Sequence, residues 1–285
     1  MVCQRSKVHP RSRLRVHGMV LVPGPWAAGS VSFMTLSILV TGASRGIGAA
    51  IAHELAGRGH RVCVHAGRDL QAAEAVREAL PGTGHAVAIG DVADPEACRQ
   101  LVDAATRDLG GIDVLVNNAG IFEAHPVDTV SFEDWQRAWR RTLDVNLVGP
   151  ANLAWLVARR LLDRPSGPNG GRLISVGSRG AYRGEPATPA YGASKAALHS
   201  MTQSLAVALA PHGILAAAVA PGFVETDMGR TVLDGPGGDA VRAQSPFDRV
   251  AAPEEVAQAV AWLATDAPLW VSGTVVDANG ASYLR

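Results

Sequence analysis

The sequence predicts an α/β fold: a single doubly wound domain whose seven-stranded, mainly parallel sheet is flanked by helices. Three observations predict it. From Leu36 onward, short β-branched runs alternate with longer helical patterns, as crossover connections between parallel strands require. Several of the runs are apolar throughout, which suits strands covered on both faces. A glycine-rich turn, "TGASRGIG", separates the first run from the first helical pattern.

The strands are read, in order, as "LSILVT", "HRVCVH", "HAVAIG", "DVLVN", "GRLISVG", "ILAAAVA" and "GTVVDA". Helices fill the intervals at 47–58, 70–80, 95–109, 132–162, 190–211 and 253–264. Pro95 and Pro253 occupy first-turn positions, where a missing N–H costs nothing. Two segments break the rhythm. "DRPSGPNGG" (163–171) is a turn-rich connection. The glycine-rich stretch 225–247, with Gly229, Gly235, Gly237 and Gly238, follows a strand end and is a candidate lid. There is no sign of a repeat or a second domain; the folded unit is expected over 34–285. Residues 1–33 hold five basic groups and no acid, and they read as a disordered, dispensable N-terminal extension.

Composition narrows the function. The chain has 285 residues and no formal net charge, but without the basic head the remainder carries 21 basic against 26 acidic groups. A mildly acidic body argues against a nucleic-acid groove, which needs clustered Lys and Arg. Pro23, Gly24 and Pro25 interrupt the best apolar run, so no membrane span is expected. Three scattered cysteines (Cys3, Cys63, Cys98) supply neither a disulfide framework nor metal-ligand spacing, so no metal is expected and a reducing cytoplasm fits.

Gly42, Gly46 and Gly48 stand between a strand and a helix, where absent side chains let backbone approach a pyrophosphate at the positive helix end. Taken alone, such a triad is equally an ordinary tight turn. Three residues separate the first two glycines and one the last two, a spacing that resembles the short-chain dehydrogenase/reductase family and its Rossmann-type fold. The 2′ position of the ribose is a charge question, settled just after the second strand. There the chain reads "VHAGRD", with Ala66 and Gly67 where an acid would stand, then Arg68, while Arg45 lies in the glycine turn. Two guanidinium groups favour the 2′-phosphate of NADP(H); the opposing reading has Asp69 bonding the ribose.

"YGASK" places Tyr191 and Lys195 four apart, on one face of a helix. A phenol titrates near pH ~10, and a cation ~4 Å away at an effective dielectric of ~20 contributes about 4 kcal/mol, enough to make it a usable proton donor near neutrality. Lys195 is one of only two lysines, against 24 arginines, and a flexible ammonium can serve both phenol and ribose better than a guanidinium fork. A packed, snorkelling pair is the plain alternative. Ser178, thirteen residues before Tyr191 at a strand end, can bond a substrate carbonyl; Ser175, inside the strand, competes. Asn146 sits within a predicted long helix that it does not favour.

These residues, in this order, together with "NNAG" and "PGFVET", resemble the same family over about 35–285. The resemblance implies catalysis by Asn146, Ser178, Tyr191 and Lys195, with Asn146 holding a relay water. It implies cofactor contacts from Gly42, Ser44, Arg45, Gly46, Ile47, Gly48, Arg68, Asp91, Val92, Asn118, Ala119, Gly120, Tyr191, Lys195, Pro221, Gly222, Val224 and Thr226. Asp91 would meet the adenine, and Thr226 the nicotinamide amide or the phosphates. Asn117 and Asn118 would mainly tie neighbouring strands. The implied reaction is reduction of a 3-oxoacyl thioester or similar ketone to an alcohol. A dehydrogenase of secondary, sugar or polycyclic alcohols is the alternative, and a non-catalytic nucleotide sensor is the reading from another class. A homotetramer or dimer is expected, since "SKAALHSMTQSLAVALA" is apolar around much of its circumference.

Overall fold

A computed structural model describes residues 35–168 and 170–285; the expected extension over 1–33 lies outside the described residues. Seven strands form one sheet in the order β3-β2-β1-β4-β5-β6-β7: β1 (Ser37–Val40), β2 (Arg61–Ala66), β3 (Ala86–Ile89), β4 (Val114–Asn117), β5 (Arg172–Val176), β6 (Leu215–Pro221) and β7 (Val275–Ala278). Every pairing is parallel. The order reverses between β1 and β4, so their C-terminal ends open a crevice at the switch point, the place where such sheets bind ligands.

Both faces are covered, which accounts for the apolar runs. Ile38, Val40, Val62 and Val64 pack towards α1 (Gly46–Gly57) and α9 (Pro253–Thr265), with α2 (Leu70–Ala79) alongside. Leu39, Cys63 and Leu115 face the opposite layer of α3 (Pro95–Leu109), α5 (Gly149–Leu162) and α6 (Pro189–Leu209). These side chains are fully buried, each stabilising by roughly 1.5–3 kcal/mol through loss of apolar surface to water.

Two expectations need correction. The helix foreseen over 132–162 is not continuous: α4 (Phe132–Leu143) gives way to a π-helical turn, Asp144–Val148, before α5. The cause is legible in the chain. Pro150 has no N–H to give to the carbonyl of residue 146, and the Gly149 N–H reaches back to the Asp144 carbonyl instead. The segment 225–247 is not purely loop, for it holds α7 (Asp227–Leu233), capped by the Thr226 hydroxyl, and the short α8 (Gly238–Arg242).

Candidate active site

The β1–α1 turn is shaped by glycine. Gly42 and Gly46 adopt φ of 62° and 56°, values that strain other residues. A side chain at Gly42 would come within 2.8 Å of the Ala119 Cα, and one at Gly48 within 2.1 Å of the Gly42 carbonyl oxygen. The turn is tied from three sides. Asn118 Nδ2 donates to the carbonyls of Thr41 (2.9 Å) and Gly42 (3.1 Å). Thr41 Oγ1 accepts from the N–H groups of Asn118 (2.9 Å) and Ala119 (3.0 Å). His65 Nδ1 accepts from the Gly42 N–H (3.1 Å), while its Nε2 lies 2.8 Å from the Gly90 carbonyl. That arrangement requires the Nε2–H tautomer, and burial lowers the imidazole pKa. Neither Thr41 nor His65 was singled out in the sequence; polar residues ending otherwise apolar strands were the available signal.

Around the turn, Ile47 packs partly buried against the core, and Ser44 is half-buried. Arg45 is exposed at the α1 N-terminus. Arg68 is also exposed, 3.8 Å from Asp91, so its guanidinium already stands beside an acid. The Ala93 N–H holds the Asp91 carboxyl below its ordinary range, with Arg141 helping. Asp69, the competing acid, caps α2 by accepting from the Ala72 N–H. Val92 is buried, its carbonyl against Cys98 and Gly149, the first residue of α5. Across the crevice Pro221 ends β6, Gly222 abuts Asn279, and Val224 bridges to Ala251. The Thr226 methyl stands 3.3 Å from where a Gly46 Cβ would lie, so Thr226 and the glycine turn line one space.

The four candidate catalytic residues converge beyond that turn. Asn146, fully buried in the π-turn, accepts from the Ile121 N–H (2.8 Å) and donates to the Ile121 carbonyl (3.0 Å) and Ser194 Oγ (3.2 Å). A Cβ at Gly120 would lie 3.3 Å from Asn146 Oδ1 and 3.5 Å from Lys195 Nζ, so glycine there keeps the floor open between them. Lys195 donates to the Val176 carbonyl (2.9 Å). Ser178 Oγ accepts from the Gly180 N–H (3.0 Å) and engages the Tyr191 phenol. Ser175 is occupied elsewhere, accepting from Thr202 Oγ1 at 2.9 Å.

The electrostatics differ from the simple expectation. Burial holds the Tyr191 phenol above its usual value, the Ser178 hydrogen bond opposes this, and the Glu185 carboxylate adds to it. Lys195 Nζ stands 5.8 Å from the phenol ring centroid and is itself pushed down to about 8 by burial. A buried ammonium that spends a hydrogen bond on a backbone carbonyl does not offset the burial of the phenol.

A family model described as Enoyl-(Acyl carrier protein) reductase matches residues 42–280. The 3-oxoacyl-[acyl-carrier-protein] reductase of Vibrio cholerae is 36% identical over 246 residues, 86% of this chain and 96% of that protein. The chain belongs to the short-chain dehydrogenase/reductase family. An acetoacetyl-CoA reductase of Shinella zoogloeoides is 34% identical, covering 88% of this chain and 99% of the relative. A crystal structure of a short chain dehydrogenase from Burkholderia cenocepacia, in complex with NADP, is 37% identical with a TM-score of 0.77, covering 87% of this chain and 97% of that one. The short-chain dehydrogenase/reductase assignment makes the chain an oxidoreductase of carbonyl and alcohol groups, working with NAD(P). Among the described residues no helix is long and apolar enough to cross a membrane.

Proposed function

We propose that this enzyme is an NADP(H)-dependent ketoreductase that converts a 3-oxoacyl thioester or similar ketone to a secondary alcohol. The observation that carries the reading is the meeting of Ser178, Tyr191, Lys195 and Asn146 beside the glycine cradle. The cradle fits a dinucleotide, because its Gly42, Gly46 and Gly48 positions leave backbone where side chains would stand. Gly42 to Gly48 would hold the pyrophosphate, Arg45 and Arg68 a 2′-phosphate, Asp91 and Val92 the adenine. Asn118 to Gly120, Pro221, Gly222, Val224 and Thr226 would wall the nicotinamide half. When bound, that group supplies the hydride.

The chain's own residues handle the oxygen. Ser178 Oγ positions the substrate carbonyl and stabilises its growing negative charge. Tyr191 Oη donates the proton, and the Lys195 ammonium stabilises the phenolate left behind. Asn146 keeps the floor of the crevice polar and fixed for proton return. The names of the relatives favour an acyl-thioester substrate; dehydrogenation of a secondary or sugar alcohol uses the same groups in reverse.

The test is a panel of β-ketoacyl thioesters, simple ketones and quinones with NADPH or NADH, run on the natural enzyme and on Tyr191→Phe. Tyr191→Phe is expected to lower kcat by about 10²–10⁴-fold while NADPH still binds. Full turnover in that variant would remove Tyr191 from the chemistry, and cofactor binding with no turnover of any carbonyl would favour a sensor. Trp155 on α5 and Val207 on α6 are 64% and 79% exposed, and we read these apolar surfaces as the cover for further copies in a tetramer or dimer. A monomeric mass by sedimentation would contradict that.

A further inference from the structure

Arg179 follows Ser178 directly and opens the short helical turn Arg179–Ala181. It is 3% exposed, more deeply enclosed than any other arginine among the described residues. Its guanidinium lies over the Phe223 ring, 5.0 Å from the centroid, and Nη2 donates to Gln244 Oε1. Arg183 Nη1 donates to the same oxygen at 3.2 Å. Two cations thus converge on one neutral amide. Among the described residues, neither has a carboxylate within the 4.0 Å of an ion pair, whereas Arg164, likewise partly buried, pairs with Asp113 at 2.9 Å. A desolvated cation normally sits beside an anion, because burial without one is costly.

The surroundings leave room for a further anion. Arg179 lines a cavity of about 200 Å³ shared with Phe223, Ser245, Phe247, Asn279 and the Arg249–Glu255 ion pair, whose carboxylate is already spent on Arg249. At ~30 Å³ per water, that is room for a carboxylate and a few carbons. The charges also reach the chemistry. Glu185, half-buried, is pushed up by burial and drawn down by Arg179 and Arg183, and it acts in turn on the Tyr191 phenol. A Cβ at Gly180 would lie 3.0 Å from Glu185 Oε1 and 3.2 Å from Ser178 Oγ, so the charged group borders the catalytic hydroxyls.

We propose that Arg179 and Arg183 form a carboxylate-recognition subsite, displacing the Gln244 amide to hold an acid group carried by the carbonyl substrate. This rests on the ketoreductase reading and, of the substrates named there, selects a similar ketone that carries a free carboxylate over the thioester. A carboxylate offers two in-plane oxygens to one guanidinium and a spare lone pair to the second, stronger charge-assisted bonds than a shared amide can make.

The experiment compares short 3-oxo acids with their methyl esters, using NADPH, in the natural enzyme, Arg179→Met and Arg183→Gln. The natural enzyme is expected to favour acid over ester in kcat/KM by about tenfold or more, the size of one or two charge-assisted bonds. Each variant should collapse that ratio, chiefly through the KM of the acid, and Arg179→Lys should restore part of it. Arg183→Gln keeps the test alive should Arg179→Met fail to fold, since Arg183 is only half-buried. An acid-to-ester ratio near one in the natural enzyme, or equal losses on acid and ester in the variants, overturns the subsite alone. No NADPH oxidation with any carbonyl overturns the ketoreductase reading with it.

Discussion

The two banks of the crevice are built on different terms. On the β1 bank, polar atoms are matched within the chain: Thr41, His65 and Asn118 between them satisfy the N–H and carbonyl groups of the glycine turn. On the β5 bank, charges gather without closing into ion pairs. Lys195 is buried on a lone carbonyl, Arg179 and Arg183 share one amide, and Glu185 has no cation within ion-pair distance among the described residues. The first bank is shaped before anything binds. The second is held at an energetic cost, as expected where reacting groups must be poised away from their ordinary states.

The sharpest way to break this contrast is Gly48→Ala. Its methyl group would meet the Gly42 carbonyl oxygen at 2.1 Å and Asn118 Nδ2 at 2.6 Å, and the ties leave the turn nowhere to move. Loss of nucleotide binding by at least about 100-fold is expected in calorimetry, with destabilisation of about 1–3 kcal/mol. Near-normal affinity would show the turn to be compliant instead.

Lys195→Met probes the other bank and should move stability the opposite way. Burial lowers the folded-state value of Lys195 from 10.5 to about 8, so at pH 7 the folded protein carries a charge it disfavours. That penalty is complete below about pH 8 and fades as pH rises towards the unfolded value. The shift corresponds to about 3 kcal/mol at most, less about 1 kcal/mol for the lost bond to Val176. Lys195→Met is therefore expected to be inactive yet more stable by about 2 kcal/mol at pH 7, with the gain shrinking by pH 10 in denaturant titrations. A variant less stable at pH 7 would mean that the β5 bank is as well satisfied as the other.

The smallest effect is expected at the rim. Arg45→Ala with Arg68→Ala should narrow the preference for NADPH over NADH by roughly tenfold, since both side chains are exposed and well screened. An unchanged ratio would assign Arg68 to Asp91 alone.

How much was legible follows the same division. All seven strands were readable because burial on both faces leaves a local, unmixed apolar signature. The positions of the turn glycines and of the Tyr191–Lys195 pair were readable because one turn and one helix fix their spacing. The convergence of Arg179, Arg183 and Gln244 was not, since it joins residues about 60 apart through a segment whose glycines predict only mobility. Thr41 and His65 were missed because a buried polar residue identifies itself only by its partner. The break at Asp144–Val148 stood midway: Pro150 announced a fault in the helix, but not that the fault would be a wider turn.

That wider turn has a mechanical consequence. One surplus residue rotates everything after it by about 100° about the helix axis. α4 can therefore lie against α6 while α5, continuing the same rod, presents a different side to α3. The joint works as a phase shifter, letting two helical surfaces that would be out of step each meet its own neighbour, and it leaves the Asn146 side chain at the seam.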